Sequence, residues 1–153
     1  MQHLIEQLDD PNPRKRHEAV NDLLSNGAAA FSPLVEALNH EDVEIRWRAV
    51  TVLGWMGDPR AISPLVKRAV GEGYEAKVNI VWALGQIGDA SAVSPLLEIV
   101  HAGETELPDI RYTAALALAR LGQAGALRES LVGSPESVYR VANAALAAYE
   151  YVT

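Results

Sequence analysis

Apolar residues recur along the chain at helical spacing in blocks separated by polar turns. Over residues 43–56, Val43, Arg46, Ala49, Val50, Leu53 and Met56 fall three or four apart, the spacing of one helix face. A closing glycine, Gly57, stands where a left-handed residue stops a helix. Asp58 and Pro59 follow as an N-cap and first-turn proline for the next one. The whole sentence then repeats. "SPL" begins at residues 32, 63 and 94, a period of 31. The longer runs agree, each with a shorter helix-like piece, a polar turn, a longer helix-like piece and a stop at Gly57, Gly88 or Gly122. The chain ends fit the same frame with atypical sequences, as capping units do.

The pattern predicts five helical hairpins, about residues 1–27, 28–57, 58–88, 89–122 and 123–153. From the first leucine of a unit to a basic residue the spacing is 12 for Leu4–Arg16, Leu34–Arg46 and Leu65–Lys77, and 15 for Leu96–Arg111. The fourth unit therefore carries three extra residues in "HAGETELPD". One hairpin cannot bury its apolar faces alone, but stacked neighbours can. The predicted fold is an all-α solenoid with one continuous core. Pro33, Pro64 and Pro95 are expected in or near a first turn, or at a kink. Gly54 and Gly85 lie inside second helices, where a glycine is tolerated if a neighbouring backbone comes close.

The motif "R-x-x-A-V-x-V-L-G-x-M-G-D" at residues 46–58, with "K-x-x-I-V-x-A-L-G-x-I-G-D" at 77–89, closely resembles HEAT repeats. It looks most like the short HEAT-like variety named after phycobilisome lyases. The resemblance covers nearly the whole chain. It implies second helices lining a concave side. It also implies either a protein-binding scaffold or a bilin lyase subunit or phycobiliprotein chaperone, in some cases paired with a second HEAT protein.

Function in a solenoid sits where the repeats differ, because shared positions serve packing. In the second helices the positions one, two, five and nine after the basic residue vary. They place Trp47, Arg48, Thr51 and Trp55 on one helix, Asn79, Trp82 and Gln86 on the next, and Tyr112, Leu116 and Arg120 on the third. All three tryptophans fall on this surface, with Tyr112 beside them. Two readings stand: an aromatic groove that binds a peptide, helix or partner domain, or rings that fill a tight inner curve. In the tetrapyrrole alternative the rings face a linear bilin, and Arg48 and Arg120 meet its propionates. The column Arg16, Arg46, Lys77, Arg111 reads as ion pairs and turn-carbonyl contacts joining units. Arg48, Arg120 and Arg140 suit ligand contact better.

Composition narrows the rest. The net charge of −7 argues against nucleic acid. The absence of cysteine excludes thiol catalysis and thiolate metal sites on this chain, and leaves the lyase relatives with a Cys-His motif unmatched. His3, His17, His40 and His101 are scattered, so no metal site is expected. "GEGYEA" at 71–76 follows no strand and is not read as a phosphate loop. No apolar run reaches membrane-spanning length, and the start lacks a signal-peptide pattern. The expectation is a cytoplasmic protein with no catalytic constellation and no cofactor.

Overall fold

The second helices of the first two units start where a turn side chain satisfies free N–H groups. The Asn12 side chain accepts from Arg14 N at 3.0 Å and opens α2 (Pro13–Asn26) after a first short helix, α1 (Gln2–Glu6). Asp42 accepts from Glu44 N at 2.7 Å and Ile45 N at 3.3 Å and opens α4 (Val43–Met56), the partner of α3 (Ala28–Ala37). Asp58 and Asp89 do the same for Arg60 N and Ser91 N. Each caps a single 3-10 turn that runs into α5 (Ile62–Ala69) or α7 (Val93–His101). A hydrogen bond from the Arg60 guanidinium holds the Asp58 carboxyl below its ordinary range. The same Arg60 lies 4.2 Å over the Phe31 ring and ties the second unit to the third. The remaining helices are α6 (Tyr74–Ile87), α8 (Pro108–Arg120), α9 (Ala124–Ser130) and α10 (Glu136–Val152).

These helices belong to a computed structural model that describes residues 1–70 and 72–152, with Glu104 described by its backbone alone. Gly71 of "GEGYEA" and Thr153 of the fifth unit lie outside the described residues. Within them the chain is all-helical, ten α-helices in five consecutive pairs. Pro64 and Pro95 are third residues of α5 and α7, where no helical N–H is needed. Pro33 lies deeper, as the sixth residue of α3. Gly57 and Gly88 close α4 and α6 at φ 65° and 76°, in the left-handed region.

Stacking follows the repeat. α4 packs on α6, α6 on α8 and α8 on α10, while the first helices α3, α5, α7 and α9 barely touch one another. The second helices therefore form the tighter, inner layer and the first helices the splayed outer one. Between the layers runs one core cluster from Ile5 to Leu146. The leucine of every "SPL" is sealed in it: Leu34, Leu65 and Leu96 are all 0% exposed. Facing them are Leu53, Leu84 and Leu118, the shared position seven after the basic residue. Among the described residues no helix is long and apolar enough to cross a membrane.

The interior glycines mark close approach. A Cβ on Gly85 would lie 2.8 Å from Ala117 Cβ, and one on Gly54 would lie 3.0–3.1 Å from the Trp82 ring and Ala83. The equivalent position of α2, eight after Arg16, is Leu24. It is half-buried against the core. The contact of α2 with α4 is much thinner than that of α4 with α6.

Candidate functional site

The variable positions of the second helices surface on the inner layer. Trp47 and Trp55 are 41% and 52% exposed, far more than a core ring. Trp82, one unit on, is half-buried and packs against the core. Its ring meets Trp55 edge to face, centroids 6.3 Å apart and planes at 85°. Such a pair is favoured by the ring quadrupoles. Trp47 stands eight residues before Trp55, about 12 Å along the helix. It lines a shallow cleft at the hairpin-turn edge with Val43, Arg68, Glu72 and Ile80. The tryptophans thus form a stripe in which Trp55 and Trp82 touch and Trp47 is set apart.

Asn79 and Thr51 fix the seam between them. Asn79 Nδ2 donates to Trp47 O at 2.9 Å and to Thr51 Oγ1 at 3.3 Å, and Thr51 Oγ1 donates to Trp47 O at 3.2 Å. An amide that joins two helices of different units is worth about 1 kcal/mol net. Asn79→Ala is expected to lower the thermal midpoint by roughly 2–4 °C, measured by calorimetry. Gln86 and Arg120 are exposed, whereas Tyr112 and Leu116 are half-buried against the core.

The cations divide in a way the spacing does not reveal. Arg48 is already neutralised, with Nη1 2.9 Å from Asp9 and Nη2 2.8 Å from Glu44. Arg120 and Arg140 are exposed, and neither is seen to pair with a described carboxylate. In the basic column, Arg16 Nη1 donates to Asp10 O at 2.8 Å and Pro11 O at 3.3 Å. Arg46 Nη1 repeats this on His40 O at 2.8 Å and Glu41 O at 2.9 Å. Lys77 instead pairs with Glu106 of the next unit at 2.9 Å. The column is therefore a set of turn clamps and inter-unit links. The acids two residues before its members are engaged elsewhere in two cases, Glu44 by Arg48 and Asp109 by the Tyr74 hydroxyl.

A cleft of about 230 Å³ runs between α2 and α4, lined by Arg16, His17, Val20, Arg48, Thr51, Val52 and Trp55. One wall carries Trp55 and Thr51 of α4, and the other Arg16, His17 and Val20 of α2. The histidines form no centre. His40 Nδ1 accepts from Asp42 N at 3.0 Å and His101 Nε2 lies 3.0 Å from Ser130 Oγ, on different units. Among the described residues no group of three or more His, Cys, Asp or Glu could hold a metal ion.

A family model for HEAT repeats matches residues 1–75 and 72–148. The chain belongs to the HEAT-repeat family. A search of curated proteins found no match. HEAT repeats generally mediate protein binding, and in this HEAT-repeat chain the shared columns account for the core.

Proposed function

We propose that the protein is a non-enzymatic interaction scaffold whose inner face holds a peptide, a helix or a partner domain, with Trp55 as the anchor. Trp47, Thr51, Asn79, Trp82, Gln86, Tyr112, Leu116 and Arg120 make up the rest of the surface, and a second HEAT protein is one form the partner domain can take. The observation that carries this reading is the 52% exposure of Trp55 beside an open cleft. A large ring on a seam that the Asn79 bonds already hold is surplus to packing. At an interface, a tryptophan in that position is the residue type that dominates binding.

A linear tetrapyrrole, as in the phycobilisome-lyase type, is the competing occupant. Its propionates need free cations, and the Arg48 guanidinium is taken by Asp9 and Glu44. Of the two arginines assigned to the propionates, only Arg120 is free of a described carboxylate, which favours the protein reading. The test uses wild-type and Trp55→Ala chains as photo-crosslinking baits, alongside a titration with a linear bilin. Expected is a partner captured by the wild type and lost from Trp55→Ala, with no bilin spectral change. Equal capture by both baits overturns the groove. Quenching of tryptophan with a bilin absorbance change overturns the protein reading in favour of the pigment.

A further inference from the structure

Arg111 is the one buried charged residue among the described residues, 4% exposed. It stands in the basic column, but it does not clamp its own turn as Arg16 and Arg46 do. Its Nη1 donates to Ser137 O of the next unit at 3.2 Å, and its Nε is sealed with no hydrogen-bond partner. No ion pair joins it to a described carboxylate. The other sealed guanidinium nitrogen without a hydrogen-bond partner, Arg68 Nε, belongs to a side chain that Glu72 neutralises. A buried charge without an anion is costly, and in most proteins it is paired.

Arg111 lines a cleft of about 420 Å³ between α8 and α10, with Tyr112 and Val141 on its walls. Arg140, exposed and without a described ion-pair partner, lines the same cleft. Two arginines free of described carboxylates thus converge on one hollow in a chain of net charge −7. Asp109 also lines the cleft, its carboxylate accepting from the Tyr74 hydroxyl at 3.2 Å.

We propose that this cleft is a carboxylate-recognition site for an acidic segment of a partner protein. Arg140 and Arg111 supply the donors, and Tyr112 and Val141 receive the aliphatic stem of the acidic side chain. A guanidinium fork matches a carboxylate in bidentate fashion. Asp109 weighs against the second negative charge of a phosphate. The site deepens the scaffold reading and rests on it. It gives the partner a polarity, with its apolar anchor over Trp55 and its acidic part over α8 and α10.

The test follows the Arg111 Nε–H resonance by ¹⁵N NMR while the full chain is titrated with acetyl-Leu-Glu-Leu-Glu-amide, with its Gln counterpart, and with inorganic phosphate. Expected is a saturable shift with the acidic peptide and binding at least about tenfold weaker with the Gln peptide. Arg140→Gln weakens the acidic peptide by about the same factor with an unchanged thermal midpoint. Arg111→Met raises the midpoint by roughly 2–4 °C, because an unpaired buried charge is gone. No shift, or equal shifts with both peptides, overturns the proposal. An equal response to phosphate overturns the carboxylate assignment, and a midpoint several degrees lower in Arg111→Met shows that the arginine is structural. The response persists in Trp55→Ala, so failure at Trp55 and failure here are told apart.

Discussion

Gly85→Ala destabilises the protein by up to about 2 kcal/mol, although alanine is the better helix former. The propensity gain for exchanging a mid-helix glycine is about 1 kcal/mol. Against it stands the new Cβ, 2.8 Å from Ala117 Cβ on the neighbouring helix. Neither atom is the end of a flexible side chain, so only a shift of α6 against α8 relieves the contact. Overpacking of this kind costs about 1–3 kcal/mol. In a solenoid the damage stays in one interface, but that interface joins the two halves of the stack. The thermal midpoint should fall by several degrees. Gly125→Ala is the control. That glycine is the second residue of α9, and a Cβ there meets nothing within 4 Å. Its replacement should raise stability by about 0.4–1 kcal/mol through the unfolded chain. Calorimetry on both variants decides the matter, and a rise for Gly85→Ala would mean that the helices are not so close.

The difference between those glycines was partly readable in the sequence. Gly54 and Gly85 recur in one column of the repeat, and a recurring glycine inside a helix signals close approach. Leu34, Leu65 and Leu96 were equally legible as core, because a shared apolar column has to face the common interior. Single departures from the repeat carry less information about their consequence. Leu24 in the glycine column of α2 is visible in the sequence, but the thin contact of α2 with α4 and the cleft beside Trp55 emerge only when the stack is built. Arg111 looks like its equivalents Arg16 and Arg46. The three extra residues in the turn before it alter the path of the chain, and the side chain reaches forward to Ser137 O instead of back to its own turn. Arg48 seemed free for a ligand because Asp9, its partner, lies 39 residues earlier. Periodicity describes what neighbouring units share, and these contacts depend on what they do not.

Trp82→Ala and Trp55→Ala should separate cleanly, though both rings occupy variable positions and touch each other. Trp82 lies over the notch left by Gly54, its Cζ3 3.0 Å from where a Cβ would be, and it packs against the core. Its removal leaves a void between α4 and α6 that neither backbone can close. Half-burial scales the usual loss for a buried aromatic to about 2–3 kcal/mol, or a midpoint fall of roughly 5–10 °C. Trp55 is 52% exposed and forfeits mainly its edge-to-face contact with Trp82, worth about 0.5–1.5 kcal/mol. Partner binding should respond in the other order. Loss of the exposed anchor costs about 2 kcal/mol or more, roughly thirtyfold in affinity. The notch also predicts coupling: in the Trp82→Ala background, Gly54→Ala no longer meets the ring, though it still meets Ala83, and costs less than in the wild type. Equal additive losses would show that Trp82 does not fill the Gly54 notch, and would return it to the exposed stripe.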